Sequence, residues 1–391
     1  MLNFEWHLPT RFVFGKDAEL RAGEMIAKLG GKKVLIHYGG GSAVKSGLIA
    51  RVEQSIRDAG LDCVLLGGAL PNPRDDKVYE GIQIIRDNGL DFVLGVGGGS
   101  AIDSAKAMAT GAMYDGDFWD FFCGKASAKQ ALPVGTILTI AAAGSESSLS
   151  AVIMQKETKL KRGVNSEFHR PQFALMNPEL TMTLPPYQTA CGITDMMAHI
   201  LERYFTNTPD VDVTDRIAEG LLLSILRAAP VAMADPNDYD ARAQLMWAGT
   251  LAHNNTCGVG REGDFASHQI EHELSALYDV AHGAGLAVVF PAWMRYTMNH
   301  NVMRFAQIAA RVWGCSMDFE YPERTALEGI VRLEKFLTDI GMPITFAELG
   351  AEAKDIPFLA KNTKKSNNGN TGFFVPLSSE DIEKVLTIAN R

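Results

Sequence analysis

The stretch Phe92–Lys106 reads FVLGVGGGSAIDSAK and decides the fold of the first half of the chain. An apolar, partly β-branched run ends at Val96, three glycines follow, and a helical pattern begins at about Ser100. Other short apolar runs, most of them followed by an amphipathic stretch, occupy residues 34–38, 63–66 and 135–140. This alternation predicts an α/β domain in which helices cover a parallel sheet.

The character of the sequence changes at Leu184-Pro185-Pro186. Beyond this point strand-like runs cease, and long apolar patterns with a period of 3.6 residues occupy 213–227, 239–254 and 266–278. A proline pair stops the preceding structure and is well suited to the first turn of a helix. We therefore predict an α/β domain at 1–183 and an all-helical domain at 184–391.

Composition limits the possible partners. The 391 residues are 47% hydrophobic and 21% charged, with a net charge of −9, which is typical of a folded protein and disfavours nucleic acid as a partner. The first residues do not resemble a signal peptide, and apolar runs such as Ala284–Trp293 are too short to cross a bilayer, so we expect no membrane association. Five widely spaced cysteines without a Cys-x-x-Cys motif indicate a reducing compartment, hence the cytoplasm.

The glycine run at 97–99 favours phosphate binding. Bare backbone N–H groups at a helix N-terminus attract an anion such as pyrophosphate. The run matches neither the Gly-x-Gly-x-x-Gly fingerprint nor a P-loop, but a second cluster, Gly39-Gly40-Gly41-Ser42, follows an earlier predicted strand. Two glycine clusters at strand ends predict a dinucleotide site.

The type of dinucleotide is suggested by the residues after the strand at 34–38. A free 2′-hydroxyl is usually bound by an acidic side chain, whereas this segment offers Ser42 and Lys45 and no carboxylate. This favours NADP(H) over NAD(H), although Lys45 could equally be a solvated helix residue. The basic stretch 151–172 reads as a solvated hairpin, with a lysine that could instead face a ligand.

The helical half contains a candidate metal site. Asp195 and His199 are four residues apart, as are His268 and His272, so each pair leaves one face of a helix, and His282 follows. Any one of these histidines alone is more typical of a core or surface residue. Together they predict an N/O site for one divalent ion, with Fe(II), Zn(II), Mn(II) or Co(II) all suitable. A Lewis acid and a dinucleotide together predict hydride transfer.

These motifs together resemble the iron-containing alcohol dehydrogenases over essentially the whole chain. The resemblance rests on Gly97–Lys106, on Leu184–Glu202 and on His268–Gly285. Within that family the chain is similar to the butanol dehydrogenase and aldehyde reductase branch, through segments 38–42, 71–73, 144–146 and 282–286.

The resemblance implies roles in the metal site. It assigns one Fe(II) or Zn(II) to Asp195, His199, His268 and His282, and makes His272 a neighbouring group or proton relay. It also implies an N-terminal Rossmann-like α/β domain and a C-terminal helical domain, with NAD(P) bound in the cleft. The same resemblance implies a homodimer or larger homo-oligomer in which the first strands pair between subunits.

The resemblance also implies cofactor contacts. The residues that it assigns to the adenosine ribose are Gly39, Gly41, Ser42 and the nearby Asn72. The residues assigned to the pyrophosphate are Gly98, Gly99, Ser100 and Asp103. The residues placed towards the nicotinamide are Thr139, Ser148 and Lys161. The chain departs from the family pattern at Ala143, where a threonine is frequent, and at Asn177, where an acid is preferred. We expect the first to remove a hydroxyl contact to the cofactor and the second to have no mechanistic consequence.

The preferred hypothesis is a metal-dependent enzyme that reduces small aldehydes, such as butanal, to primary alcohols. The nearest alternative is a polyol dehydrogenase acting on glycerol or lactaldehyde-type diols. A lyase of the dehydroquinate synthase type would need a more cation-rich pocket. A protein that binds nucleotide and metal without turnover is the alternative outside enzymes.

Overall fold

The computed structural model describes residues 1–142, 144–366 and 368–391, so that the departure at Ala143 lies outside the described residues. The chain forms two compact units. The α/β unit comprises His7–Leu184 and Asn237–Asn254, and the helical unit comprises Met1–Trp6, Pro185–Pro236 and Asn255–Arg391. The chain passes between the units at Leu184 and Pro185, and residues 1–6 and 237–254 group differently from the predicted domains 1–183 and 184–391.

The α/β unit is built on a parallel sheet of six strands in the order β1-β8-β5-β4-β2-β3. Its strands and those of a separate hairpin are β1 (Arg11–Phe14), β2 (Lys33–Tyr38), β3 (Asp62–Leu66), β4 (Phe92–Gly97), β5 (Val134–Leu138), β6 (Ser150–Met154), β7 (Lys161–Asn165) and β8 (Phe173–Met176). The predicted parallel sheet is confirmed. Strands β1 and β8 were not predicted, because four residues are too few to show a period. Strand β1 pairs with β8 of the same chain at one edge of the sheet.

Helices cover the sheet. Those of the α/β unit are α1 (Ala22–Lys28), α2 (Gly41–Lys45), α3 (Leu48–Asp58), α4 (Asp75–Asn88), α5 (Gly99–Ala112), α6 (Trp119–Phe122) and, after an excursion of the chain, α9 (Tyr239–His253). On β2, Val34 and Ile36 join one apolar cluster with α1 and α3, whereas Leu35 joins another with α4 and α5. Both faces are therefore buried, as is usual in parallel sheets.

Helix α9 belongs to the α/β unit because its side chains pack there. The Trp247 ring lies edge-on to Phe12, with centroids 5.3 Å apart, and the Thr250 hydroxyl donates to the buried Glu146 carboxylate. A Cβ on Gly144, whose φ is +59°, would lie 2.8 Å from the Gly249 carbonyl oxygen. A sequence pattern shows that a segment is helical but not which sheet or helix it packs against.

Strands β6 and β7 form the predicted antiparallel hairpin. Lys156 and Lys159 are exposed as expected, but Lys161 is buried, and its ammonium donates to Asn72 Oδ1 at 3.0 Å. The solvated interpretation is therefore wrong for Lys161. At Asn177, the side chain caps a short 3-10 helix by accepting from Glu179 N at 3.1 Å and donates to Glu19 Oε2 at 3.0 Å.

The helical unit contains nine α-helices within its described residues. They are α7 (Pro186–Tyr204), α8 (Asp212–Ala234), α10 (Ala266–Tyr278), α11 (His282–Thr297), α12 (Val302–Arg311), α13 (Pro322–Asp339), α14 (Phe346–Leu349), α15 (Ile356–Asn362) and α16 (Ser379–Ala389). Short 3-10 helices occupy Ala18–Arg21, Glu167–His169, Pro178–Thr181, Met298–His300 and Ala353–Asp355.

Helix α8, at Asp212–Ala234, is longer than the pattern predicted at 213–227. With 23 residues, it is the one helix of the described chain that could cross a membrane by length and composition alone. Core helices of soluble proteins pass the same test. Its Asp215 and Glu219 are buried and form ion pairs with Arg304 and Arg311 in the same unit.

Candidate active site

Four predicted metal ligands converge within the helical unit. Helix α7 carries Asp195 and His199, α10 carries His268, and His282 is the first residue of α11. From Asp195 Oδ1, the Nε2 atoms of His199, His268 and His282 lie 3.4, 3.8 and 3.8 Å away, and the first two Nε2 atoms are 3.3 Å apart. We call these four residues the metal quartet.

Glycines allow the helices to approach closely enough for the quartet to form. A Cβ on Gly283 would overlap the carbonyl oxygen of Cys191 on α7, and a Cβ on Gly285 would lie 2.7 Å from Glu271 on α10. The glycines that follow His282 thus allow α11 to begin against both neighbouring helices. Pro186 stands at the first helical position of α7, where its missing N–H costs no helical hydrogen bond.

The quartet fits a divalent ion. With metal–ligand distances of about 2.0–2.2 Å, the donor atoms of a tetrahedral site are separated by about 3.3–3.6 Å. The separations of His199 Nε2 from Asp195 Oδ1 and from His268 Nε2, 3.4 and 3.3 Å, lie within this range. The separations of 3.8 Å from Asp195 Oδ1 to His268 and His282 lie slightly above it, and the ligand atoms of Asp195, His268 and His282 all lie within 4.8 Å of one another. Asp195 Oδ1 is also buried without a hydrogen-bond donor, which is costly unless a cation completes the site.

Two buried carboxylates orient the imidazoles. The Nδ1 atoms of His268 and His282 are hydrogen-bonded to Glu202 and Glu271, whose side chains are fully buried. Each imidazole thereby presents Nε2 towards Asp195, in the arrangement common around metals in proteins. Glu202 appeared in a quoted motif without a role, and Glu271 was missed. A glutamate three residues after His199 and another after His268 is the sequence signal that could have identified them.

The affinity of the quartet for a metal should depend on pH, because neighbouring charges shift the pKa of His268. Burial alone would lower the pKa of His268, but the Glu202 and Asp195 carboxylates outweigh it and raise the pKa to about 9. A metal that binds through Nε2 must displace that proton, so metal affinity falls as the pH falls. His272 is buried beside the quartet, with its ring centroid 5.6 Å from that of His282. Its role as a proton relay stays a prediction.

The two glycine clusters lie side by side in the α/β unit. Strands β2 and β4 are paired, and a Cβ on Gly97 would lie 4.0 Å from the amide nitrogen of Gly39. Gly97 has φ +155°, and a Cβ on Gly98 would overlap Ile140, whereas a Cβ on Gly99 would meet nothing within 4 Å. The turn therefore leaves open space at the N-terminus of the 14-residue helix α5, as a pyrophosphate requires.

The other predicted cofactor residues occupy more varied surroundings. Gly41 and Ser42 begin α2 and are exposed, and half-buried Thr139 donates its N–H to Gly97 O at 3.0 Å. Half-buried Ser100 lies in the first turn of α5. Asn72, predicted near the ribose, and Lys161, predicted near the nicotinamide, contact each other. The residue predicted near the ribose and the residue predicted near the nicotinamide therefore lie in direct contact.

Asp103 and Ser148 engage protein groups. The Asp103 carboxylate accepts from Ser145 Oγ at 2.5 Å and from Val152 N at 2.9 Å. Ser148 Oγ accepts from Lys106 Nζ at 3.2 Å. Because a carboxylate repels pyrophosphate and cannot donate to it, these contacts point to an orienting role for Asp103. Lys106 and Ser145 were quoted in motifs but not predicted as site residues.

The fold and the two sites together define a metal-dependent dehydrogenase that uses a dinucleotide. A family model described as iron-containing alcohol dehydrogenase matches residues 9–178, and one described as Fe-containing alcohol dehydrogenase family, C-terminal, matches residues 189–389. The chain belongs to the iron-containing alcohol dehydrogenase family. It is an NAD(P)-dependent oxidoreductase of alcohols and aldehydes.

Individual relatives match this chain over 93% or more of both chains. A probable NADH-dependent butanol dehydrogenase of Bacillus subtilis is 40% identical, with 99% of each chain covered. The NADPH-dependent aldehyde reductase YqhD of Escherichia coli is 36% identical, with 93% of this chain and 94% of the relative covered. The crystal structure of an NADH-dependent butanol dehydrogenase A from Thermotoga maritima superposes with a TM-score of 0.97, at 40% identity and coverage of 100% and 99%.

Proposed function

We propose that the protein reduces small aliphatic aldehydes such as butanal to primary alcohols, using one divalent ion held by Asp195, His199, His268 and His282. The observation that supports this most strongly is the convergence of three imidazole Nε2 atoms on the buried Asp195 Oδ1, which accepts no hydrogen bond. The similarity to butanol dehydrogenases and to an aldehyde reductase supports the substrate class.

The chemistry is aldehyde plus NAD(P)H plus a proton giving alcohol plus NAD(P)⁺. A divalent ion at the quartet supplies Lewis-acid polarisation of the carbonyl, and the reduced nicotinamide supplies the hydride. Glu202 and Glu271 hold the His268 and His282 rings in place. His272, beside His282, provides the proton that the product hydroxyl gains.

We propose NADP(H) as the preferred dinucleotide. The turn after β2 offers exposed Gly41, Ser42 and Lys45, with no carboxylate between Gly39 and Lys45 to bind a free 2′-hydroxyl. Relatives named as NADH-dependent and as NADPH-dependent both match over most of the chain, so that similarity alone does not choose.

We also propose a cytoplasmic homodimer or larger homo-oligomer, with neither a membrane nor a nucleic acid as partner. All five cysteines are free thiols, as in a reducing compartment. The segment before β1 exposes Leu2, Phe4 and Trp6, and β1 is an edge strand, so both are available to a second copy of the chain.

The test is the rate of NADPH and of NADH oxidation by metal-loaded protein, with butanal, lactaldehyde and dihydroxyacetone compared. The proposal expects butanal to have the highest kcat/KM and NADPH to be used more efficiently than NADH. A strong preference for the two hydroxylated substrates would replace it with the polyol alternative. Binding of NADPH and metal without turnover on any aldehyde would favour a binding protein.

A further inference from the structure

The α/β unit completely buries one ammonium group to which the proposed function gives no role. Lys106 lies on α5, with 0% of the residue exposed. Its Nζ donates to Ser145 Oγ at 3.0 Å, Ser148 O at 3.1 Å, Ser148 Oγ at 3.2 Å and Ser150 O at 2.9 Å. Three N–H donors facing four oxygens leave no unused hydrogen-bonding capacity in the ammonium group.

Asp103 complements Lys106 from one turn earlier on α5. It accepts from Ser145 Oγ at 2.5 Å and from Val152 N at 2.9 Å. Ser145 Oγ thus joins the two charged side chains. Together they fix segment 145–152 to the helix that starts at the glycine turn.

Keeping this charge buried has an energetic cost. Burial lowers the pKa of Lys106 to about 8, against the opposing influence of Asp103 and Glu146. Uncharged side chains of similar size at both Lys106 and Asp103 would fill the same space without that cost, since replacing both partners of a buried charged pair often costs no stability, whereas removing one partner leaves the other charge uncompensated. Global stability alone is therefore a weak reason for Lys106, and placement of the segment that it binds is a stronger one.

The position of that segment follows from the sheet. Strand order reverses between β2 and β4, and a dinucleotide lies across such a point with one nucleoside on each side. If the adenosine half lies at the turn after β2, the nicotinamide half lies at the end of β5. Thr139 N, just after β5, donates to Gly97 O at 3.0 Å, so Thr139 borders the glycine turn, and segment 145–152 follows six residues later in the sequence.

We propose that Lys106 is a positioning residue that, with Asp103, sets segment 145–152 for the nicotinamide half of the dinucleotide. This inference rests on the proposed dinucleotide site. It assigns Lys106 an effect on binding of the nicotinamide, and none on binding of the adenosine phosphates.

The experiment compares two probes in the full-length protein, NADPH and 2′-phospho-ADP-ribose, which lacks the nicotinamide. Lys106→Met keeps the aliphatic stem and removes the ammonium. We expect its Kd for NADPH to rise about tenfold, as for loss of a charge-assisted hydrogen bond, while the Kd for 2′-phospho-ADP-ribose stays within about twofold. The nicotinamide fluorescence of bound NADPH should shift in parallel. Lys125→Met, at an exposed lysine of the same unit, is the matched control and should change neither Kd.

Further variants separate positioning from stability. In Lys106→Met alone, the buried Asp103 carboxylate has lost its neighbouring positive charge. The double variant Lys106→Met/Asp103→Asn removes that carboxylate as well, so its Tm should be higher than that of Lys106→Met, while the selective loss of NADPH affinity remains. Ser145→Ala removes only the shared hydroxyl and should show a smaller selective loss of about threefold, which keeps the test open if Lys106→Met does not fold. An equal rise in the Kd values of Lys106→Met for NADPH and for 2′-phospho-ADP-ribose, or no change in either Kd, would overturn the positioning role. Wild-type protein that binds neither probe would instead overturn the dinucleotide site itself.

Discussion

The metal quartet and the glycine turn offer different parts of the chain to their proposed ligands. The quartet uses side chains, and buried Glu202 and Glu271 orient two of its imidazoles. The turn uses backbone N–H groups, and the absence of side chains at Gly98 and Gly99 keeps its space open. The first region should therefore be sensitive to the chemistry of single side chains, and the second to their volume.

The largest effect should come from His268→Ala. Loss of one of four ligands should lower metal affinity and reduce kcat/KM for butanal about a thousandfold or more, because the carbonyl loses its Lewis acid. Metal content by elemental analysis and NADPH oxidation measure both. His7→Ala, at an exposed histidine, should leave both unchanged. A variant that keeps its metal and its rate would remove His268 from the quartet.

Low pH should destabilise the α/β unit through protonation of His37 on β2. Burial lowers the pKa of His37 to about 4, while its Nδ1 lies 2.9 Å from Leu66 O. Between pH 6.5 and 4 the unfolded chain then binds more protons than the folded one, so stability falls as pH falls, by about 3 kcal/mol in total.

Urea unfolding of metal-loaded protein across this pH range tests that expectation. His37→Asn keeps a donor but does not titrate, so its stability deficit relative to wild type should shrink as the pH falls. His7→Asn is the control and should run parallel to wild type. A deficit for His37→Asn that is constant with pH would contradict the assignment.

A smaller effect is expected from Glu202→Gln, which keeps the shape of the side chain but removes the carboxylate that binds His268. Metal affinity should fall about 10- to 100-fold, as for other carboxylates that orient a metal-bound histidine. Competition with a chelator measures it, and the exposed Glu262→Gln is the matched control. Unchanged metal affinity would show that Glu202 does not orient the ligand.

The glycine turn offers an adjacent pair of substitutions. Gly98→Ala introduces a Cβ that overlaps Ile140, so both Tm and NADPH affinity should fall, the latter about tenfold. In Gly99→Ala the new Cβ meets no protein atom within 4 Å, so Tm should hold while NADPH affinity still falls because the methyl group occupies ligand space. Unchanged NADPH affinity in Gly99→Ala would place the pyrophosphate elsewhere.

Local patterns were sufficient to predict the parts of the molecule in which sequence spacing determines geometry. Asp195 and His199 share a helix face because they are four residues apart, and β4 leads into α5 through three glycines. No local pattern shows that α9 packs in the α/β unit, that Lys161 reaches Asn72, or that Lys106 binds three serines. Those contacts join residues far apart in sequence and depend on how complete elements pack.

The central claim is that one divalent ion at the quartet supports aldehyde reduction. The most direct measurement is an anaerobic titration of metal-free protein with Fe(II), with bound metal and butanal-dependent NADPH oxidation recorded on the same samples. The account predicts that activity rises in proportion to occupancy and levels off at one ion per chain, and that His268→Ala shows neither effect. Full activity in metal-free wild-type protein, or equal binding by His268→Ala, would contradict it.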